Sequence, residues 1–336
     1  MGDPGVTDLP IALDAMGGDN APAAIVEGAR LAVDELGLRI VLVGRPDELG
    51  DTGGIEVVPA SEVIAMDEEP GTGVRRKKDS SLVRAAEAVR DGRASAMVSA
   101  GNTGAAMASA LLRMGRLPGV NRPAIATPIP VPGSTPTVLL DAGANAECSA
   151  AMLVQFAQMG AAFASARFGT ARPRVGLLSI GEESSKGTPL VKETHALLAA
   201  GAGVDFVGNV EGRDIVSDRV DVVVTDGFTG NVVLKTLEGG VRVVVNAVLG
   251  ALTSTPEAKA AAGVLMPALA PLAHELDPDT TGGAMLVGVD GVCIISHGSS
   301  SPRAVVNALS VAHEMVAAGV VARMADAVSG PAGTRG

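Results

Sequence analysis

Strand-like and helix-like runs alternate along almost the whole of this chain, and that alternation limits the folds open to it. Several strand-like runs are nearly continuous Val, Ile and Leu, which is typical of strands buried on both faces of a sheet. The pattern predicts strands at Ile11–Asp14, Arg39–Val43, Glu56–Pro59, Ala96–Ser99, Ala124–Ile129, Thr137–Asp141, Arg174–Ile180, Asp205–Val207, Asp221–Thr225 and Val292–Ser296. Helices are predicted at Pro22–Leu36, Ser80–Asp91, Gly104–Met114, Ser149–Ala166, Pro189–Ala199, Asn231–Leu249 and Pro302–Met324. This order favours a three-layer α/β sandwich with a mostly parallel sheet.

One pair of neighbouring strands has no helix between its members. Ala124–Ile129 and Thr137–Asp141 are joined by a short Pro/Gly turn, which predicts a local hairpin and allows a mixed sheet. No low-complexity linker divides the chain, so we expect one large α/β domain over residues 1–328. An apolar helical segment is expected to protrude near residues 247–276, and the Gly/Pro/Arg tail at 329–336 is expected to be disordered.

Composition excludes several classes of function. The chain has 336 residues, a net charge of −11 and no Trp or Tyr. An acidic chain without aromatic stacking platforms is not expected to bind nucleic acid. Its two cysteines, Cys148 and Cys293, are too few for a disulfide framework or a zinc site, and both are expected to be buried.

Membrane-crossing segments are not predicted either. The first nine residues lack the basic and apolar regions of a signal peptide. The longest charge-free apolar run, Ala260–Ala273, has 14 residues and contains Pro267 and Pro271, whereas a spanning helix needs about 20 apolar residues. We therefore expect a cytoplasmic protein.

Two Gly-rich turns carry the strongest sign of function. They are Ser99-Ala100-Gly101-Asn102-Thr103-Gly104 and Thr225-Asp226-Gly227-Phe228-Thr229-Gly230. Each follows a predicted strand and opens a predicted helix, so backbone N–H groups and the positive end of a helix dipole point at one place. Such a turn suits phosphate or another oxyanion, although any βα unit also needs a Gly corner for structural reasons.

Further polar groups follow other predicted strands. Asp14 precedes Gly17 and Gly18, and Asp141 precedes Asn145, at positions where α/β sheets place ligand contacts. The alternative for the first of these loops is a tight corner whose polar residues cap the next helix.

A third Gly-rich loop contains Glu182 and Lys186. It does not have the spacing of a P-loop, because the lysine precedes the second glycine. Lys186 is nevertheless expected to contact substrate. Asn209 and His297 also lie at the ends of predicted strands. No G-x-G-x-x-G motif follows any strand, which weakens a dinucleotide-binding interpretation, and no G-x-S-x-G motif of a serine hydrolase is present.

Two segments leave alternatives open. Arg75–Lys78 is the densest cluster of positive charge, and it is either solvated surface or a site that attracts phosphate or an acidic protein. Ala247–Leu276 has leucines at helical spacing, and its two prolines are expected to break it into short helices. That segment either packs into the core or a dimer interface, or dips weakly into a membrane surface.

Taken in order, these motifs resemble the PlsX-type phosphate acyltransferases over nearly the whole chain. The resemblance rests on ALDAMGGDNAP at 12–22, RRKKDSSL at 75–82, VSAGNTGA at 98–105, LLDAGAN at 139–145, GEESSKGT at 181–188, FVGNVEGRDI at 206–215 and DGFTGNVVLK at 226–235. It implies transfer of a long fatty acyl group from acyl carrier protein to inorganic phosphate, on an architecture similar to isocitrate/isopropylmalate dehydrogenase and phosphotransacetylase. It also implies a homodimer, peripheral membrane association and handover of acyl phosphate to an integral glycerol-phosphate acyltransferase.

Residue roles are assigned as hypotheses, without cofactor or metal. Lys186, Asn102 and Asp14 are the candidate catalytic residues. The candidate substrate- and phosphate-binding residues are Gly17, Gly18, Lys78, Ser99, Gly101, Thr103, Gly104, Asp141, Asn145, Glu182, Asn209, Thr229, Gly230, Asn231 and His297. Phosphate is itself nucleophilic, so no Ser or Cys nucleophile is needed. An acyl-lysine is a weaker hypothesis, because an amide is a poor acyl donor.

Two rival functions stay open at this stage. A dehydrogenase on the same architecture would bind NAD and a divalent metal. A non-catalytic membrane scaffold would retain the apolar segment and tolerate the loss of Lys186 and Asn102.

Overall fold

A single sheet of eleven strands positions the candidate site residues. A computed structural model describes residues 8–329. The strands are β1 (Ile11–Asp14), β2 (Ile40–Gly44), β3 (Glu56–Pro59), β4 (Ala96–Ser99), β5 (Ala124–Ile129), β6 (Thr137–Leu140), β7 (Arg174–Leu178), β8 (Asp205–Val210), β9 (Val222–Val224), β10 (Ala284–Val287) and β11 (Val292–Ile295).

The strands run in two opposite directions. Their order across the sheet is β3-β2-β1-β4-β11-β10-β5-β6-β9-β7-β8. The first five are mutually parallel, and so are the last four. The antiparallel pairs β11–β10, β10–β5 and β5–β6 between them reverse the direction. The α/β fold is thus confirmed, the predicted hairpin is β5–β6, and the sheet is mixed.

Helices cover both faces of the sheet. They are α1 (Ala23–Leu36), α2 (Pro70–Arg76), α3 (Ser81–Arg90), α4 (Thr103–Arg113), α5 (Ala150–Phe168), α6 (Pro189–Ala199), α7 (Gly227–Leu252), α8 (Pro256–Leu276), α9 (Pro302–Ala317) and α10 (Val320–Ser329). The alternation of strand side chains explains the layers. In β1, Ile11 and Leu13 join the apolar cluster of α1, α5, α9 and α10, whereas Ala12 joins the cluster of α3 and α4 on the other face.

The expectation that prolines break the apolar segment into short helices is wrong. Residues Pro256–Leu276 form the single helix α8 with Pro267 and Pro271 inside it. A proline removes the hydrogen bond to the carbonyl four residues earlier. Here those carbonyls belong to Gly263 and Pro267, which are both exposed. Water can therefore replace the lost hydrogen bonds.

Other differences concern short elements and helix ends. The sequence did not predict α2 or β10, and the predicted helix Pro302–Met324 is the pair α9 and α10. They are separated at Gly319, whose φ of 62° is left-handed. The last helix extends to Ser329. Residues 1–7 and 330–336 lie outside the described residues. The expectation of no signal peptide and most of the expectation of a disordered tail concern these residues.

Candidate active site

The two directions of the sheet divide the candidate residues into two groups. The first cluster follows β1, β4 and β11 and contains Asp14, Gly17, Gly18, Ser99, Gly101, Asn102, Thr103, Gly104 and His297. The second cluster lies at the ends of β6, β7, β8 and β9 and contains Asp141, Asn145, Glu182, Lys186, Asn209, Thr229, Gly230 and Asn231. The carboxyl ends of these two sets of strands point in opposite directions. The corners therefore do not all surround one cavity within the single chain.

Helix α7 connects the two clusters. It begins at Gly227 in the second cluster, and its Glu238 Oε1 lies 3.7 Å from His297 Nε2 in the first. Eleven residues separate these positions, a helical span of about 16 Å. Leu234 of α7 also shares an apolar cluster with Ala105 of α4 and Ala142 of the β6 loop. The two polar clusters thus flank one apolar layer.

Asp14 is the buried centre of the first cluster. Its side chain accepts a hydrogen bond from Ser99 Oγ at 2.7 Å and from the Met16 backbone N–H at 3.2 Å. Burial raises the pKa of this carboxyl, and hydrogen bonds from Ser81, Ser99 and the backbone partly oppose that effect. Asp14 joins two strand ends and is not open to solvent, since only 1% of it is exposed.

Close backbone approach explains the glycines beside it. A Cβ on Gly17 would lie 2.8 Å from Cα of Gly101, and Gly18 has a φ of 117°. The next residue, Asp19, donates its backbone N–H to the Gly298 carbonyl at 2.7 Å. The loops after β1, β4 and β11 are therefore locked to one another.

Asn102 holds a neighbouring loop in place. Its Oδ1 caps α4 by accepting from the Ala105 N–H at 3.0 Å. Its Nδ2 lies 3.3, 3.0 and 3.0 Å from the carbonyl oxygens of Ala65, Met66 and Glu68. The amide is occupied by these contacts, whereas Thr103 beside it is exposed.

His297 is the exposed polar side chain of the first cluster that faces α7. Glu238, its partner at 3.7 Å, also accepts a hydrogen bond from Lys235 Nζ at 2.9 Å. Both partners were missed by sequence reasoning, although Lys235 ends one of the motifs and Glu238 follows it at helical i,i+3 spacing. Lys78 is exposed just after α2, and no hydrogen bond or ion pair joins its side chain to either cluster among the described residues.

Asp141 is the equivalent buried centre of the second cluster. Its Oδ1 accepts backbone N–H groups of Ile125, Gly143 and Ala144 at 3.0, 3.2 and 2.9 Å. Its Oδ2 accepts the backbone N–H and side-chain Nδ2 of Asn145 at 2.8 and 2.9 Å. This carboxylate fixes the shape of the loop after β6.

The start of α7 is packed tightly onto that loop. Gly227 donates its N–H to the Asn145 carbonyl at 2.8 Å, and a Cβ on Gly230 would collide with the carbonyl oxygen of Asp141. Asp226 caps the helix and accepts both the N–H and the Oγ1 of Thr229 at 2.8 Å. Most hydrogen-bond donors of this turn are therefore already used within the protein.

Lys186 lies in a polar cavity of about 430 Å³ beside the second cluster, lined by Ile180, Gly181, Glu182, Glu183, Lys186, Glu211 and Arg213. Glu182 pairs with Arg219 at 2.6 Å and Glu211 pairs with Arg213 at 2.7 Å. Between residues 8 and 329, no carboxylate oxygen lies within 4.0 Å of Lys186 Nζ. This ion-pair network around the lysine was also missed by sequence reasoning.

Asn209 holds the Lys186 loop from behind. Its Nδ2 donates to the Glu183 carbonyl at 2.9 Å, and its Oδ1 lies 3.0 Å from His195 Nδ1. Only 2% of the residue is exposed. Asn209 therefore supports the loop that carries Lys186. Asn231, by contrast, is exposed on α7 and faces Gly143.

The cysteines are poor nucleophiles. Burial raises the pKa of Cys148 to about 11 and that of Cys293 to about 12. Across the described residues, no group of three or more His, Cys, Asp or Glu side chains is arranged to hold a metal ion.

Comparison with known proteins identifies the family. Residues 9–323 match the model of a family described as "Fatty acid synthesis protein". A protein of Myxococcus xanthus named phosphate acyltransferase is 52% identical, over 94% of this chain and 92% of its own length. A protein of the same name from Heliobacterium modesticaldum is 48% identical, over 95% of this chain and 98% of its own length. The chain belongs to this family. The predicted resemblance to PlsX-type phosphate acyltransferases is confirmed.

Solved structures support the same fold. A phosphotransacetylase from Streptococcus pyogenes has a TM-score of 0.61 at 15% identity, covering 92% of this chain and 94% of its own. A branched-chain phosphotransacylase from Enterococcus faecalis V583 has a TM-score of 0.59 at 15% identity, covering 92% of this chain and 99% of its own. At this identity the similarity concerns the fold, and it confirms the predicted phosphotransacetylase-like architecture of this chain.

Proposed function

We propose that this protein transfers a long-chain fatty acyl group from acyl carrier protein to inorganic phosphate, and so supplies acyl phosphate for phospholipid synthesis. The observation that carries the proposal is Lys186, an exposed ammonium without a carboxylate within 4.0 Å among the described residues, in a polar cavity. Its strand, β7, is adjacent to β9, which leads into α7. The names of the full-length relatives support the same reaction.

The reaction needs little covalent chemistry from the protein. A phosphate oxygen attacks the thioester carbonyl carbon, and negative charge develops on the carbonyl oxygen. The intermediate then collapses, the C–S bond breaks, and the thiolate leaves and takes up a proton. The tasks of the protein are to hold phosphate within about 3–3.5 Å of the carbonyl carbon and to stabilise the oxyanion.

The roles follow from which groups are free. Lys186 neutralises the developing charge. Thr103 and Gly104 offer donors at the start of α4 in the first cluster, at the opposite edge of the sheet, and within one chain they do not contact the same oxyanion. Asp14, Asn102 and Asp141 act as positioning residues, because their polar atoms are engaged within the protein. His297 adds a partly exposed group at the end of the α7 connection.

Incubation of the purified protein with acyl-carrier protein and labelled phosphate tests the proposal. Labelled acyl phosphate and free carrier thiol should form in equal amounts, and both should require phosphate. Thiol release without phosphate would indicate a hydrolase. Saturable binding of a nicotinamide dinucleotide without acyl phosphate formation would indicate the dehydrogenase alternative.

Assembly and location are part of the proposal. The helices α7 and α8 expose large apolar side chains, among them Val243, Val244, Val248, Val264, Leu265, Leu269 and Leu272. An apolar surface of this kind is typical of a protein or membrane contact. We infer a homodimer in which a second copy covers part of this hairpin, with weak association of the hairpin with the cytoplasmic face of the membrane.

Membrane contact is expected to be peripheral. In the described part of the chain no single helix is long and apolar enough to span a bilayer; α9 and α10 pass such a test only together, and they are bent by 56°. Peripheral binding would bring acyl phosphate to an integral glycerol-phosphate acyltransferase. Light scattering should show a dimer, and flotation with lipid vesicles should weaken when Val264 is changed to Glu.

A further inference from the structure

We propose that Arg75 and Arg76, at the end of α2, form the docking surface for the acidic carrier protein that brings the acyl group. This inference rests on the proposed function and assigns a face of the molecule to its donor substrate. The two guanidinium groups are exposed, and Lys78 extends the same positive surface.

Three acidic residues of this segment, Glu68, Glu69 and Asp79, already have partners, whereas Asp67 is exposed. Glu68 pairs with Lys77 at 2.5 Å, and Glu69 accepts the N–H groups of Gly71 and Thr72 at the start of α2. Asp79 accepts from Ser61 Oγ at 2.6 Å and from Arg84 Nε at 2.6 Å, which with the Ser61 backbone N–H lowers its pKa to about 2.

The cations are in a different situation. Over residues 8–329 no carboxylate oxygen lies within 4.0 Å of the charged groups of Arg75, Arg76 or Lys78. The protein as a whole has a net charge of −11, so it repels an acidic protein from most directions. A local positive surface would steer such a partner to one face.

The position of α2 connects this surface to the first cluster. The loop that precedes α2 is held by the Asn102 side chain, through the carbonyls of Met66 and Glu68. A Cβ on Gly104 would lie 2.6 Å from Cγ of Pro70, the first residue of α2. The helix has seven residues, a length of about 10 Å. A carrier protein at Arg75 and Arg76 is thus one short helix from the Gly101–Gly104 turn, and its flexible thioester arm can cover that distance.

The experiment compares two charge-reversal variants of the full-length protein. One is Arg75→Glu/Arg76→Glu, and the matched control is Lys192→Glu/Arg323→Glu, which changes two exposed cations on α6 and α10 by the same charge. Initial rates are measured with acyl-carrier protein at several salt concentrations, and with acyl-pantetheine as a donor without a protein. Binding of the carrier protein bearing a non-hydrolysable acyl amide is measured separately.

Docking at α2 predicts that kcat/KM for acyl-carrier protein falls by about tenfold or more at low salt in the first variant. Its salt dependence should flatten, while the KM for phosphate and the acyl-pantetheine rate stay unchanged. The neutral variant Arg75→Gln/Arg76→Gln should lie between, and it provides a second test if reversal lowers the unfolding midpoint.

Three results would overturn the assignment: unchanged carrier-protein affinity, an equal loss in the control variant, or a raised KM for phosphate that identifies the surface as a phosphate attractor. Loss of binding to anionic lipid vesicles with carrier binding intact would assign the surface to the membrane instead. If the wild type makes no acyl phosphate, the proposed function fails, whereas the amide-analogue binding measurement still decides whether this surface docks a carrier protein.

Discussion

The two polar clusters are built in the same way but differ in the charged groups that they leave exposed. Each has a buried aspartate at a strand end, Asp14 in the first and Asp141 in the second, which accepts hydrogen bonds from nearby loops. Within residues 8–329, the second cluster has beside it a lysine with no carboxylate oxygen within 4.0 Å, Lys186 in its polar cavity. From this difference we propose that the buried carboxylates maintain the shape of the loops and that exposed groups carry the chemistry.

Removing Asp141 should have the largest effect. Asp141→Ala leaves several buried N–H groups without an acceptor, each at about 1–3 kcal/mol, so the free energy of unfolding should fall by more than about 3 kcal/mol. Denaturant unfolding measures it. Asp226→Ala, which removes a helix cap, should cost only about 0.5–2 kcal/mol. Equal losses in the two variants would contradict the shape role of Asp141.

Changing Lys186 should affect rate and not stability. Lys186→Ala is expected to lower kcat by about 10²–10³, as loss of one oxyanion contact does. The unfolding midpoint should stay unchanged, since the side chain is exposed. Lys192→Ala on α6 is the matched control. Near-normal turnover in Lys186→Ala would remove this residue from the mechanism.

Glu238 tests whether the connection through α7 matters. Glu238→Gln removes the charge facing His297 and releases Lys235. Because the change removes a negative charge and frees an ammonium beside His297, the KM for phosphate should fall by about tenfold, corresponding to about 1.4 kcal/mol, with a smaller change in kcat. Glu238→Asp keeps the charge and should leave the KM near the wild-type value. If the two variants behave alike, the contact with His297 is incidental.

The pH dependence of stability should distinguish Asp14 from an exposed carboxylate. Burial raises the pKa of Asp14 above its ordinary value of 3.8, so the folded state holds this proton more tightly than the unfolded state. Stability should therefore fall, relative to Asp14→Asn, as pH rises from about 4 through the raised pKa. Asp79, with a pKa of about 2, should show the opposite sign and lose its contribution as pH falls from 3.8. A flat difference for Asp14→Asn would contradict this assignment.

Cys148 should give the smallest effect. Its thiol lies beside the second cluster and donates to the Asn145 carbonyl at 3.7 Å, with a pKa raised to about 11. Cys148→Ser should change kcat by less than about twofold. Trapping of an acyl-enzyme on Cys148 by mass spectrometry would show that the transfer has a covalent step.

Periodicity was sufficient for most of the fold because the buried strands are short apolar runs between Gly-rich corners. It missed β10, whose AMLV run is adjacent to another strand without a helix between them, and it missed α2, which opens with Pro and Gly. The direction of β6 to β9 could not be predicted, since the sequence does not encode which edge strand each run joins.

The sequence indicated candidate residues more readily than the contacts those residues make. Gly/Asn/Asp motifs identify strand ends, but the sequence does not show that the Asn102 amide is occupied by three carbonyls or that five donors surround Asp141. Glu238 was missed because it lies on a helix face away from any corner. Its partner, His297, is 59 residues further along the chain.

The span of α7 between Gly227 and Glu238 also fixes a rotation. An α-helix turns by about 100° per residue, so inserting a single alanine between Asn231 and Glu238 would swing the carboxylate away from His297. The Gly227 end, packed against the β6 loop, would keep its contacts. The contact between the two clusters therefore depends on the register of this helix as well as on the identity of its residues.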